Sequence, residues 1–146
     1  MDFFSSMNVS ASALSAERTR MNLISSNLAN ANTTRTPEGG PYKRKDAVFA
    51  ATPVQTRFNN LLDSASGREI RQVEVMQVVE DQNPPRMQYD PSHPDANPQG
   101  YVSMPNVNVV EEMADMINAT RSYEANVTAV QASKSMALKT LEISSK

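Results

Sequence analysis

The chain has 146 residues, of which 39% are hydrophobic and only 5% aromatic, with no Trp, so whatever core it forms must be small. Its net charge is −2 with acids and bases interspersed, which argues against general nucleic-acid binding, because neutralising phosphates needs a clustered surplus of Lys and Arg. Cysteine is absent, which excludes disulfides, thiolate metal sites and a cysteine nucleophile.

The start, Met1-Asp2-Phe3-Phe4-Ser5-Ser6-Met7-Asn8, has no cationic leader and no following apolar run of about 7–15 residues, so a cleaved secretory signal is not expected. Apolar positions then recur at steps of three and four through Phe4, Met7, Ala11, Leu14, Arg18, Met21, Ser25 and Leu28, predicting a helix from about Phe3 to Asn30. It would be roughly 40 Å long. Its outward Ser and Asn residues hydrogen-bond locally and are mediocre helix formers, so the isolated helix should be marginal and fold chiefly against another.

The Asn-, Gly- and Pro-rich stretch from Asn30 to Pro41 ends that helix. Tyr42 to Val54 and Ile70 to Val79 mix β-branched residues with charges and are expected to form two antiparallel strands. Between them Arg57 to Gly67 fits a loop or a short helical turn. The basic run Lys43-Arg44-Lys45 reads as a solvated strand or loop edge, since membrane-binding segments gather about 4–8 such residues.

From Asn83 to Pro105 prolines recur at 84, 85, 91, 94, 98 and 105, limiting regular structure to short extended pieces such as Met87 to Tyr89, and the segment reads equally as an ordered crossing or a flexible strap. His93, the single histidine, sits between Asp90 and Asp95 and between two prolines. A surface turn explains it better than a metal site, which would need further ligands.

The second long periodicity runs through Val109, Met113, Met116, Thr120, Tyr123, Val127, Val130, Lys134, Ala137 and Leu141, predicting a helix about 50 Å long. Asn108 and Glu111 have capping-box spacing, and Glu111, Glu112 and Asp115 oppose the positive end of the helix dipole. The pairs Glu111-Glu112 and Glu80-Asp81 read as solvated or dipole-complementing charge rather than an acid–base pair, because adjacent residues on a helix diverge. Met7, Met21, Met113, Met116 and Met136 lie on or beside the two seams, as core filler or as adaptable contacts to non-identical neighbours. No segment approaches the roughly 18 apolar residues of a membrane span, no nucleophile motif such as G-x-S-x-G occurs, and the N-x-S/T triplets are most simply helix or turn residues. Neither an enzyme nor a cofactor or small-molecule site is expected. Two terminal helices longer than the roughly 70-residue middle can cover point to assembly, with candidate interface residues Phe4, Met7, Ala11, Leu14, Met21, Leu28, Val109, Met113, Met116, Tyr123, Val127, Val130, Ala137 and Leu141.

Several stretches also carry a family resemblance. Ser25-Ser26-Asn27-Leu28-Ala29-Asn30 resembles the motif that closes the first helix of bacterial flagellar axial proteins, the rod and hook group. Ser122-Tyr123-Glu124-Ala125-Asn126-Val127, with Lys134-Ser135-Met136 and Leu138 to Leu141, resembles their shared C-terminal helix. Pro37 to Lys45, His93 to Asn97 and Gly100 to Met113 are similar to the proximal-rod members in particular. Hook and distal-rod relatives commonly read Thr-Pro-Gly-Tyr where this chain has Thr36-Pro37-Glu38-Gly39-Gly40-Pro41-Tyr42, and Thr52 to Met87 matches nothing usable.

The resemblance implies an α+β subunit of the flagellar rod, in which residues 1–32 and 106–146 form terminal helices that pair as a coiled coil and residues 33–105 a small β-rich middle with a Pro-rich strap. It further implies type III export without a cleaved leader into the periplasmic part of the basal body. The partners it implies are copies of the chain, other rod proteins, the export apparatus and the membrane-ring junction. Terminal helices of the family are largely disordered in free monomers. A soluble helical secretion adaptor or chaperone is the competing class, since it too would expose amphipathic helices.

Overall fold

The computed structural model describes residues 3–53 and 71–144. In chain order it has helix α1 (Phe3–Ala29), strands β1 (Lys45–Pro53), β2 (Arg71–Glu80), β3 (Arg86–Tyr89) and β4 (Tyr101–Met104), and helix α2 (Val109–Ser144). The expected loop or turn at Arg57 to Gly67 lies outside the described residues.

The two helices lie side by side and antiparallel. Asn27 meets Glu112, Arg20 lies 3.9 Å from Asp115, and the Thr120 hydroxyl is 3.8 Å from the Met21 sulfur, so advancing along α2 moves backwards along α1. α1 exits through a turn in which Asn30 Nδ2 donates to the Ser26 carbonyl and Thr33 N–H donates to the Asn30 carbonyl. α2 begins as expected at Asn108, whose Oδ1 accepts from the Val110 amide at 3.2 Å.

β1 and β2 pair antiparallel, as their composition suggests, from Lys45 opposite Glu80 to Pro53 opposite Arg71. Val48 faces Gln77 but Phe49 faces Val75, so Met76 is an extra residue in β2, a bulge that bends the ribbon. The ribbon packs along α1, and the Val73 amide donates to the Ser12 hydroxyl at 3.1 Å. A serine in mid-helix, costly to helix propensity, thus anchors a strand.

Of the two readings open for the Pro-rich stretch, the ordered one is found, its short extended pieces pairing as a hairpin. β3 pairs with β4, Arg86 opposite Met104 and Tyr89 opposite Tyr101. The connecting loop is knitted by its own polar side chains. Asp90 Oδ1 accepts from the Ser92 amide and hydroxyl, His93 Nδ1 from the Asp95 amide, and Asn97 Oδ1 from the Gln99 and Tyr101 amides. Asp95 then accepts from the Thr34 hydroxyl at 2.8 Å, docking the loop on the exit of α1. The loop closes at Gly100, whose φ of +83° belongs to the left-handed region, and a Cβ there would come within 2.8 Å of the Tyr89 ring.

Among the described residues full burial is confined to a few side chains: Ala16, Ile24, Ala31, Val102, Val107 and Ala119, with Pro105, Asn27 and Glu112. Most of these residues lie toward the end of α1, at the start of α2 and along the passage from β4 into α2. Replacing Gly100 by Ala is expected to destabilise the protein by about 1–3 kcal/mol, through left-handed strain and the Tyr89 clash, measured as a fall in the urea midpoint. The Ser92 hydroxyl and then its amide hold the Asp90 carboxylate below its ordinary range, so Ser92→Ala should shift the Asp90 titration upward in a carboxylate NMR experiment.

Candidate assembly interface

The node that positions both helices is built on Asn27, a residue only 1% exposed. Its Nδ2 donates to the Lys45 carbonyl at 2.9 Å and to Glu112 Oε2 at 3.1 Å. Its Oδ1 accepts from the Lys45 amide at 3.0 Å and from the Tyr42 hydroxyl at 3.0 Å. Two donors and two acceptors are the full capacity of an amide side chain, so Asn27 is satisfied with no water required. It treats Lys45 as a neighbouring strand would, taking both backbone groups of a residue at the edge of the ribbon.

Glu112 completes the node. It is 1% exposed, and its second oxygen accepts from Arg44 Nε, while Arg44 Nη1 reaches Asp46 at 3.2 Å. Burial works against the charge of Arg44, yet the hydrogen bond and charge of Glu112, with Asp46 beside it, hold its pKa above the ordinary value. Glu111 and Glu112 are expected to be solvated or dipole-complementing charge; both stand in the first turn of α2 and Glu111 is exposed, but Glu112 is not solvated, since it faces inward and is paired. Of the basic run, Lys43 and Lys45 do form a solvated edge, in surface ion pairs 4.0 and 3.6 Å from Glu80, whereas Arg44 departs from that reading by turning its half-buried side chain to Glu112.

The expected interface residues fall into two sets. Met7, Leu14, Met21 and Leu28 on α1 are half-buried, as are Met116, Tyr123, Val127, Val130 and Ala137 on α2. Ala11, Val109, Met113 and Leu141 are exposed, and Phe4 lies in α1 with its side chain outside the described set. The face of α2 turned to α1 runs through Glu112, Met116, Ala119, Tyr123, Asn126, Val130, Ser133 and Ala137, which replaces every second residue of the sequence-derived seam by its N-terminal neighbour. The helix contact is centred on small residues such as Ala119, 0% exposed, which permit close approach, and the bulkier Met113 and Ile117 are left outside. On α1 the outward stripe is Asn8, Ala11, Ser15, Arg18, Asn22, Ser25 and Ala29.

The motif residues divide similarly. Ser26 contacts the Tyr42 hydroxyl at 3.3 Å, Asn27 is the hub, Leu28 is half-buried, and Asn30 bonds back to Ser26, while Ala29 is exposed. In the second motif Tyr123 and Asn126 face α1, and Asn126 Nδ2 donates to the Ser122 carbonyl, whereas Glu124 and Ala125 point to solvent. Glu112 and Arg44 escaped the list of candidate residues. The available clue was a glutamate placed to begin an inward-facing stripe.

Two family profiles match the chain at its ends. The one described as Flagella basal body rod protein covers residues 7–35, and the one described as Flagellar basal body rod FlgEFG protein C-terminal covers residues 99–143. Those segments are α1 with its exit turn, and β4 with α2, so helices at both termini held together across a β-rich middle define a flagellar axial rod protein. Flagellar basal-body rod protein FlgC of Bacillus subtilis is 47% identical over 150 aligned residues, covering 98% of this chain and 99% of the relative. The FlgC proteins of Borreliella burgdorferi and Salmonella typhimurium are 45% and 41% identical, each with 93% of both chains covered. The chain belongs to the FlgC family of flagellar basal-body rod proteins.

The node makes an asymmetric prediction. Arg44→Ala leaves Glu112 buried without its cation and should cost about 3–5 kcal/mol, whereas Glu112→Ala should cost less because Arg44 keeps water and Asp46. Urea unfolding of the two variants checks the order; equal losses would contradict it.

Proposed function

We propose that this chain is a structural subunit of the proximal rod, the drive shaft of the flagellar basal body, and that it assembles through residues 1–32 and 106–146 with copies of itself and with other rod proteins. The observation that carries this is the apolar surface α2 leaves uncovered: Val110, Met113 and Ile117 near its start, and Met136, Leu138, Leu141 and Ile143 near its end, are each between 52% and 79% exposed. Clustered exposure of this kind on a paired helix marks a surface that a partner covers.

Covering such side chains stabilises an assembly by about 1.5–3 kcal/mol for each one fully buried. A shaft needs repeated contacts that do not close on themselves, so the subunits would join by heterologous, helical symmetry, because an isologous patch ends in a dimer. Continuous coiled-coil packing of the terminal helices would give the stiffness that torque transmission demands. The middle, residues 33–105, would form the outer layer of the tube.

Export would proceed through the flagellar type III channel into the periplasmic portion of the structure. A chain whose helices are marginal when unpartnered suits passage in an unfolded form. The export apparatus and the membrane-ring junction would be its other contacts.

Ile117→Asp and Leu141→Asp change exposed positions and should leave the subunit folded. Both are expected to abolish swimming in soft agar and to remove the chain from purified basal bodies. Normal incorporation of both variants would refute assembly through this surface.

A further inference from the structure

The two small sheets of the middle turn apolar faces to solvent. In the β3–β4 hairpin Tyr89 stands opposite Tyr101 and Met87 opposite Ser103, so these four share one face, while Val102 on the other face is fully buried. In the β1–β2 ribbon Asp46 stands opposite Val79, Val48 opposite Gln77 and Ala50 opposite Glu74, again on one face, with the bulged Met76 beside them. Met87, Tyr89 and Tyr101 on the hairpin and Val48, Met76 and Val79 on the ribbon are each between 38% and 66% exposed. The two sheets make no contact with each other within the subunit.

The Tyr89 ring is not a loose surface group. It packs T-shaped against Tyr101 and lies over Gly100, so closely that a Cβ there would meet it at 2.8 Å. An aromatic already held in place loses little freedom on contact, which suits it to anchor an interface. The two faces also differ in polarity in a matching sense. The hairpin carries two phenol O–H donors and, at its open end, the Arg86 guanidinium, which forms no ion pair among the described residues; the ribbon carries the carboxylates of Glu74 and of Asp46, the latter beside Arg44.

We infer that the outward face of the β3–β4 hairpin docks on the outward face of the β1–β2 ribbon of a second copy of this chain. The faces are different surfaces, so the contact is heterologous and leaves a hairpin and a ribbon free for the next copies, as an open helical array requires. Area argues against a free-standing partner. Each face offers on the order of 300 Å² of apolar side chain, well short of the about 800 Å² per partner of a stable pair. A patch of that size holds only where other contacts already bring the copies together, which the terminal helices do in the assembly proposed above. The inference rests on that reading and places no demand on the helices of the free chain.

The chain has no cysteine, so introduced thiols are the only ones in it. Met87→Cys and Val79→Cys together in one chain, expressed in place of the wild type, are expected to give disulfide-linked dimers and larger multimers of this chain in purified basal bodies after mild oxidation. Each variant alone should give none. Adding Tyr89→Ala to the pair should lower the cross-linked yield about tenfold. If the pair keeps the chain out of basal bodies, Ser103→Cys with Gln77→Cys, polar positions on the same two faces, decides in its place.

A double-cysteine chain that enters basal bodies without cross-linking would overturn the contact and leave the rod assignment standing. A homodimer from either single variant would overturn it too, by making the contact isologous, and so would a conjugate with a different rod protein, by giving the face another occupant. A wild-type chain absent from basal bodies would instead sink the rod assignment on which the contact rests.

Discussion

An asparagine side chain has two donors and two acceptors, and burying it is tolerable only where all four are matched. Asn27 meets that condition by drawing on three separate segments: the backbone of Lys45 in β1, the hydroxyl of Tyr42 on the way into β1, and the carboxylate of Glu112 in the first turn of α2. Glu112 in turn needs Arg44, which sits next to Lys45 in the chain. No part of this arrangement is favourable by itself, because each polar group taken from water costs free energy until its partner arrives. The relative placement of α1, the β1–β2 ribbon and α2 follows from it.

Around the node the apolar core is thin. Val102, Pro105 and Val107 thread the passage from β4 into α2, and Ala31 and Ala119 let backbones approach closely. Such a core explains why the ends of the chain meet at all, but it covers only part of the apolar surface they carry. The stability of a lone subunit and the surface left for neighbours are two sides of one limitation: a chain with so few aromatics cannot enclose a helix of 36 residues with one of 27.

The β3–β4 loop illustrates how prolines and short polar residues produce order without a core. Each proline removes a backbone donor and fixes φ; the side chains of Asp90, His93 and Asn97 accept from the Ser92, Asp95, Gln99 and Tyr101 amides, and backbone carbonyls accept from those of His93, Ala96, Asn97 and Gly100. The T-shaped contact of Tyr89 and Tyr101, with ring centres 5.3 Å apart, closes the hairpin over Gly100. A glycine is required there by the aromatic ring as much as by the backbone angle.

Local signals were sufficient for the helices, their caps and the β1–β2 pair, because periodicity, turn residues and β-branched runs act over a few residues. The start of α2 at Asn108 and the antiparallel ribbon follow from such signals, and the repeated three-and-four spacing is enough to say that both ends are amphipathic helices. Which flank of α2 faces α1 was beyond them. Met113 and Glu112 are adjacent, the former apolar and the latter charged, yet Glu112 is buried and Met113 exposed, because the outcome depends on a partner 68 residues away, just before β1, and another 85 away in α1. The same holds for β4, whose pairing with β3 crosses a proline-rich loop that short-range reading treats as a break. Periodicity, turn residues and β-branched runs thus sufficed for both helices and the β1–β2 pair, and the terminal motifs for the family resemblance, whereas the β3–β4 pairing and the face each helix turns inward came from the fold, since burial of a charge is settled by the partners that the fold brings to it.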